Sequence, residues 1–469
     1  MKNRNRQHLT FGDKITMTVV KKVYGVMQFN KSTITNDGIS RYERDLYWIS
    51  FPFNVNLKDV FGMGDYGTHW IIEYYDGKGR AEHGFWADSP SNWKFVTPAM
   101  RENGDDGNGY ILEANTGYIL ALDLDELGSS SSVWENEVTE AYLYFPSNDD
   151  IHNIQNVASK DVNINQEGYQ CIINRATGTQ GDRRIKDSYW HCIGAPSYAN
   201  VNQTVATEDP IVPDGELWNP EGLLYFYKWN KIDNTLTVQK TTPQSFKAMH
   251  SYLVQYSGTT LRWTDVTNTV PASVAARLTE TIERDFQLSL IRDSIEEDQT
   301  LVRLTDDENV TNRFEFNYDL SKEYNAGKGN IWTVTADTVE VAGNSMPKPL
   351  QTTVVPVGIK VVANGEYTLS MPEGTNGEDV YLIDNAYGTR TNLGLMPYTV
   401  TLTAGTYEGR FALEFAPIQD SPTSLENDGL SRSDELNDAN DDARKVFVGG
   451  RLYIIRDGKV YDAAGQRVE

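Results

Sequence analysis

The sequence is poor in the residues and patterns that mark metal sites and membrane spans. Its 469 residues include only two cysteines, Cys171 and Cys192, and six histidines. Two thiols outside a CxxC motif cannot build a four-sulfur metal site. They either pair across neighbouring strands in an oxidising compartment or stay as two buried thiols. No stretch approaches the ~18 consecutive apolar residues of a spanning helix, so we expect no membrane span.

Catalytic signatures are also missing. The sequence contains no GxSxG elbow, no HExxH motif, no GxxxxGKS loop and no GxGxxG loop after a strand. No two histidines have the spacing of metal ligands. We therefore expect a chain that is not an enzyme, with no catalytic residues, no metal and no cofactor. A glycosidase-like pair of carboxylates stays open, since 66 acidic residues always supply one.

The charge balance restricts the partners. The chain carries 42 basic and 66 acidic residues and a net charge of −24. Such a chain repels nucleic-acid backbones and anionic membrane surfaces, so we expect neither as a main partner. The first twenty residues start with basic side chains but contain no apolar run of signal-peptide length. We expect either a cytoplasmic chain or the later part of a longer exported protein.

What the sequence does contain is typical of antiparallel β structure. It has 26 Tyr and 10 Trp, and Gly, Asn, Asp and Thr separate short apolar runs. Period-two alternation predicts three hairpins, over residues 224–240, 251–263 and 397–417. We therefore predict an all-β, multi-domain protein of antiparallel β-sandwiches. The only helical patterns are a single turn at Leu57 and a helix over residues 272–286.

An aromatic pair opens two similar segments. Residues 47–55 read YWISFPFNV, and YWHCIGAPSYANV begins at Tyr189. Proline removes a ladder donor, so each segment reads as a buried strand that leaves its sheet at Pro52 or at Pro196. The segments predict two related β domains, each with a tryptophan on an early core strand. Chance in an aromatic-rich chain is the alternative.

Breaks in the pattern predict five segments. We expect β-rich domains over residues 1–146 and 147–343, followed by an immunoglobulin-like sandwich over 344–417. Residues 418–443 are acidic and almost free of apolar side chains, which predicts a flexible linker. Residues 444–469 read as a small β meander with turns at 449–450 and 457–458.

This last module resembles the C-terminal sorting domain of type IX secretion in Bacteroidota. The motif GGRLYIIRDGKVYDAAGQRV carries the resemblance through a short set of residues: Gly450, Arg456, Asp457, Gly458, Tyr461, Gly465 and Val468. The resemblance implies a surface or secreted protein whose partner is a secretion and attachment machinery. Members of this group carry an N-terminal export signal, which this chain does not show.

An upstream pattern resembles modules of large surface proteins from the same group. A WISxPF strand is followed by YGTxWxIxxYDGxxRA, which matches residues 66–81. The resemblance implies an extracellular or cell-surface location and a role in recognition or adhesion. A host surface ligand is then one expected partner, and a fimbria-like adhesin that assembles through an exposed edge strand is a weaker alternative.

Three tryptophans suggest a second kind of partner. Trp70, Trp86 and Trp93 lie near Asp76 and Asp88, and flat aromatic faces stack on sugar rings. They predict a glycan-binding surface, which would make this region an accessory module of a secreted hydrolase. The alternative is that the three rings belong to the core and rim of a β domain.

Overall fold

Strands dominate the part of the chain that the structure, a computed structural model, describes. They make up 56% of the described residues, beside two short helices, Gly77–His83 and Pro98–Asn103. The all-β prediction is confirmed. The described residues are 24–30, 45–62, 64–83, 92–122, 140–148, 159–163, 186–194, 204–206, 217–230, 235–241, 246–247, 250–265, 284–375, 377–418, 444–448, 451–456, 459–462 and 467–468.

The chain divides into two compact units, residues 1–418 and 419–469. In its described residues, the first unit opens with four sheets of four strands each. Strands are given in their order across each sheet. The first sheet contains Thr204–Ala206, Tyr24–Asn30, Glu140–Pro146 and Phe61–Gly62, and the second contains Asp45–Ser50, Gly117–Leu122, Trp70–Tyr75 and Trp93–Phe95. The third sheet contains Trp190–Gly194, Ser251–Gln255, Tyr225–Asn230 and Thr235–Lys240, and the fourth contains Ser159–Asn163, Thr260–Asp265, Leu217–Pro220 and Phe246–Lys247. Val55–Asn56 and Ile111–Leu112 form a further short antiparallel pair.

Alternating side chains let each inner sheet serve two cores. On the second sheet, Ile49 and Leu120 point into a core shared with Phe145 of the first sheet. Trp48 and Ile119 point the other way, into a core shared with the third sheet. These neighbours in sequence therefore stabilise two different packing layers.

The third sheet repeats this arrangement. Phe226 points into a core that contains Trp263 of the fourth sheet, with Phe246 between them. Tyr225 and Tyr227 point into the core shared with the second sheet. The predicted alternation is thereby confirmed from Tyr225 onward, whereas Leu224 packs against the same core as Tyr225 and not on the face of Phe226.

Among the described residues, the fifth sheet holds eleven strands. Ten follow one path: Thr389–Asn392, Val380–Asp384, Gly405–Phe415, Thr353–Val361, Asn330–Val334, Glu340–Pro347, Ile295–Thr305, Arg284–Arg292, Gly365–Ser370 and Tyr398–Leu402. Leu320–Ser321 pairs beside this path with Glu340–Pro347. The rings of Phe286 and Phe415 lie 5.3 Å apart although their strands are not neighbours. The two halves of the sheet therefore face each other across one core, as in a sandwich.

Two of the predicted domain boundaries, after residues 343 and 417, can be compared with the observed sheets and units. The boundary between residues 343 and 344 falls inside the strand Glu340–Pro347, and one sheet takes strands from both sides of it. The first unit ends at residue 418, where the acidic linker was expected to begin.

One of the three predicted hairpins is confirmed. Tyr225–Asn230 pairs with Thr235–Lys240 in antiparallel register. The second prediction is wrong, because Ser251–Gln255 belongs to the third sheet and Thr260–Asp265 to the fourth. These strands are separated by a core and not joined by a ladder.

The third predicted hairpin is wrong in its pairing and right in its faces. Tyr398–Leu402 pairs with Gly365–Ser370, whereas Gly405–Phe415 pairs with strands in the opposite half of the sandwich. Val400 and Leu402 are buried and Thr401 is exposed, as the alternation predicted. The chain therefore crosses between layers after residue 402.

The helical predictions have mixed outcomes. A single 3-10 turn over Leu57–Asp59 confirms the predicted turn at Leu57. Of the predicted helix over residues 272–286, only the last three residues are described, and they belong to the strand Arg284–Arg292. The helix Pro98–Asn103 begins after Thr97, whose hydroxyl accepts from the amide of Met100.

The second unit is a four-stranded meander. Its strands are Arg444–Val448, Arg451–Arg456, Lys459–Asp462 and Arg467–Val468, paired in sequence order. Val448 lies opposite Arg451 and Arg456 opposite Lys459, so the ladders close around the two predicted turns. The predicted meander is confirmed, and the turn residues themselves lie outside the described residues.

Candidate ligand-binding site

Four aromatic side chains meet where the second and third sheets face each other. We call Trp48, Tyr75, Trp93 and Trp229 the aromatic junction. The ring of Trp48 lies 4.9 Å from that of Trp93 at 68° and 6.0 Å from that of Trp229 at 10°. Tyr75 contacts Trp93 edge-on at 5.1 Å. Trp48 is buried, whereas Trp93 and Trp229 are half-buried.

Strand register brings these rings together. Tyr75 lies directly opposite Trp93 in the ladder of the second sheet, so both side chains point to the same face. Trp48 reaches that face from Asp45–Ser50. Trp229 comes from the third sheet, on the face that also carries Tyr227. The junction therefore needs both sheets and cannot form within either alone.

Two polar atoms of the aromatic junction lack acceptors. The indole N–H groups of Trp48 and Trp229 are buried and have no hydrogen-bond partner among the described residues. A buried donor without an acceptor costs about 1–3 kcal/mol. An oxygen supplied from outside the protein, by water or by a ligand, would remove that cost.

A buried arginine, Arg80, lies beside the aromatic junction and contacts Tyr75. Arg80, on the helix Gly77–His83, is fully buried and donates to the hydroxyl of Tyr75 at 2.8 Å. It also pairs with Asp187 at 3.2 Å and with Glu323. One guanidinium therefore meets two carboxylates and a hydroxyl. Burial is the largest influence on the Tyr75 hydroxyl and raises its pKa, so this group acts as a neutral hydrogen-bond partner.

Of the three predicted glycan-binding tryptophans, the structure places one in the aromatic junction. Trp93 belongs to it. Trp70 is buried in the core between the first and second sheets, against Tyr66 at 4.8 Å, on the opposite face of its sheet. Trp86 lies outside the described residues. Trp48 and Trp229 were not predicted as site residues. The aromatic pair before Pro52 is the sequence signal for Trp48, and the strand alternation is the signal for the face of Trp229.

The remaining predicted residues are placed only in part. Cys192 is buried and makes no disulfide within the described residues, and Cys171 lies outside them. Arg456, Tyr461 and Val468 lie on strands of the meander. The other predicted sorting residues, Gly450, Asp457, Gly458 and Gly465, lie outside the described residues.

The described residues contain neither a metal-binding cluster nor a helix that could span a membrane. No cluster of three or more His, Cys, Asp or Glu side chains there is arranged to hold a metal ion. No helix in the same residues has the length and apolar character needed to cross a membrane. That the whole chain binds neither a metal nor a cofactor stays a prediction.

Comparison with known proteins gives one similarity. Residues 276–415 match the model of a domain of unknown function, DUF8693. This segment includes all eleven strands of the fifth sheet. No curated protein matches the chain, and no solved structure matches it.

Proposed function

We propose that this chain is a non-catalytic recognition protein of the cell surface or the extracellular space, with a C-terminal module for secretion and attachment. The observation that supports this is that residues 419–469 form a compact unit of their own. A module that serves as an address needs to fold without help from the domains it directs. The resemblance of its motif to type IX sorting domains points to the same role.

The meander offers backbone edges to a secretion partner. Within the described residues, Arg444–Val448 and Arg467–Val468 each pair with one neighbour only, so each has a second edge for another strand. Strand addition gives affinity through main-chain hydrogen bonds, with little demand on side chains. The secretion and attachment machinery would bind the meander in this way.

Removal of residues 444–469 tests this proposal. We expect the shortened protein to stay inside its host, while the full chain becomes accessible to protease at the cell surface. The circular dichroism of the purified shortened protein controls for the fold of the first unit. Surface accessibility that survives the deletion would contradict the sorting role.

A second candidate function is carbohydrate binding at the aromatic junction, as an accessory region of a secreted hydrolase. Half-buried Trp93 and Trp229 present flat apolar rings suited to the face of a sugar. The indole donors of Trp48 and Trp229, which have no acceptor among the described residues, match the hydroxyl oxygens of a sugar. This combination of rings and donors favours a glycan over a purely apolar ligand.

Glycan-array binding by three variants tests the second candidate. We expect Trp93→Ala and Trp229→Ala each to weaken binding about tenfold or more, because a lost stacking contact of about 1.4 kcal/mol is tenfold in affinity. Tyr387→Ala is the control, since Tyr387 is 65% exposed and belongs to another part of the first unit. Equal binding by all three variants would exclude the aromatic junction as the glycan site.

A further inference from the structure

Inside the first unit, a lysine and an aspartate are buried against each other. The side chain of Lys322 is 0% exposed and that of Asp298 is 2% exposed, and Lys322 Nζ is in direct contact with Asp298 Oδ2. Asp298 lies on the strand Ile295–Thr305, and Lys322 follows the strand Leu320–Ser321. Both residues fall within the segment that matches the domain of unknown function.

Few groups of the described residues replace the water that Lys322 loses on burial. An ammonium has three donors, and Asp298 is the only acceptor that Lys322 Nζ contacts among the described residues. Arg80, in contrast, spreads its charge over two carboxylates, a hydroxyl and the carbonyl of Lys186. A buried charge with one partner is costly, and transfer of a proton from Nζ to the carboxyl group removes both charges.

The carboxyl group of Asp298 is also held for reaction. Asp298 Oδ2 accepts from the amide of Ile331 at 2.7 Å, and Oδ1 faces Asn325 Nδ2 at 3.5 Å. Donors fixed at a carboxyl oxygen stabilise the charge that develops there when a nucleophile adds to the carbon. Burial is the largest influence on the pKa of Asp298 and raises it, while Lys322 opposes that rise. A protonated carboxyl has a leaving group that an ionised one lacks.

We propose that Lys322 and Asp298 condense into an intramolecular isopeptide bond. After a proton passes from Nζ to Oδ2, Nζ adds to Cγ, and the negative charge that develops on Oδ1 faces Asn325 Nδ2. A carbon–oxygen bond then breaks, and the departing hydroxyl takes a proton from the nitrogen. One C–N bond forms, one C–O bond breaks and one water leaves. The step needs neither an oxidant nor a cofactor.

Contact in the folded state is what makes this step feasible. Fixing two reacting groups against each other converts a bimolecular step into a unimolecular one, with effective concentrations of about 10⁵ M or more in the best cases. The bond would join the strand Ile295–Thr305 to the residue after Leu320–Ser321 and so close a covalent loop. Such a loop restricts the unfolded chain, as a disulfide does, and suits a protein exposed to force or proteases.

Mass spectrometry of the denatured full chain tests the proposal directly. We expect the intact mass to be one water below the mass of the sequence. After trypsin, residues 293–303 should appear joined to residues 314–328, because acylated Lys322 is no longer cleaved. Fragment ions should place the junction at Asp298.

The chain contains an internal control for this digest. Lys186 Nζ lies 2.6 Å from Glu340 Oε2, but these side chains are 19% and 25% exposed. Water reaches this ion pair and stabilises its charges, so we expect normal cleavage after Lys186. Cross-linking of both pairs would mean that contact alone suffices and would overturn the argument from burial.

Two variants separate the chemistry from the fold. Lys322→Arg keeps a cation but cannot form the amide, so its mass should equal that of its sequence. Asp298→Asn should lose ammonia in place of water. An unshifted mass for the natural chain, with full recovery of the peptide that ends at Lys322, overturns the proposal whether or not either variant folds.

Discussion

The guanidinium carbon of Arg80 lies 4.3 Å from the centre of the Trp190 ring. The indole N–H of Trp190 donates to the carbonyl of Lys186, which also accepts from Arg80. Arg80 belongs to the helix after the second sheet's strand Trp70–Tyr75, and Trp190 opens the third sheet. One buried cation therefore ties two sheets together.

Removal of that cation should destabilise the first unit strongly. In Arg80→Met the buried carboxylates of Asp187 and Glu323 lose the guanidinium that pairs with both of them, and breaking a buried pair in this way costs about 3–5 kcal/mol. Urea unfolding followed by tryptophan fluorescence measures the change. Arg390→Met is the matched control, because Arg390 and its partner Glu414 form an ion pair nearer the surface. Equal unfolding midpoints for these variants would contradict the structural role of Arg80.

Local pattern predicted the faces of strands but not their neighbours. The period of two in residues 225–229 is a property of the strand itself, so the side on which Tyr227 lies could be read from sequence. Whether the chain after Leu402 returns beside its strand or crosses to the other layer depends on distant strands. Tyr398–Leu402 pairs with Gly365–Ser370, and Gly405–Phe415 pairs with Thr353–Val361. The sequence contains no local signal for that choice.

The candidate site shows the same limit. Trp93 was predicted as a binding residue from its aromatic surroundings, and Trp48 as a core tryptophan. Their contact with Trp229 depends on how two sheets stack. Trp70 was predicted for the same site, but its side chain lies on the other face of the second sheet and is therefore outside the aromatic junction. Proximity in sequence was therefore a poor guide to which rings share a face.

A close approach between the second and third sheets gives another prediction. A Cβ added at Gly194 would lie 1.8 Å from Ser50 Oγ and 2.1 Å from Ser50 Cβ. We expect Gly194→Ala to lower the free energy of unfolding by about 1–3 kcal/mol through overpacking. Thermal or urea unfolding measures this change.

Two further variants show whether this clash is the cause. Gly365→Ala is the control, since the nearest atom its Cβ would meet is Arg292 Cδ at 3.9 Å. Ser50→Gly in the Gly194→Ala background should recover part of the lost stability, although the bond from Ser50 Oγ to the carbonyl of His250 is lost. No recovery in the double variant would place the strain elsewhere.

His191 predicts a pH dependence. It is buried in the third sheet, with Nε2 3.3 Å from the carbonyl oxygen of Tyr256. Burial lowers the pKa of His191 to about 4, against about 6.5 in an unfolded chain. Between these values the unfolded state binds more protons, so acid favours unfolding. The contribution of neutral His191 is complete above about pH 6.5 and is lost as the pH falls towards 4.

Comparison with His191→Gln isolates this effect from other titrating groups. Asp319 acts with the opposite sign, because burial raises its pKa and ionisation then disfavours the folded state as the pH rises. Asp319 is present in both proteins, so its contribution cancels in their difference. We expect the stability advantage of the natural chain over His191→Gln to shrink by about 3 kcal/mol between about pH 7 and pH 4, measured by urea unfolding at each pH. A difference that is constant over this range would mean that His191 accepts a proton in the folded chain as easily as in the unfolded one. In that case water would reach the His191 side chain in the folded protein at low pH.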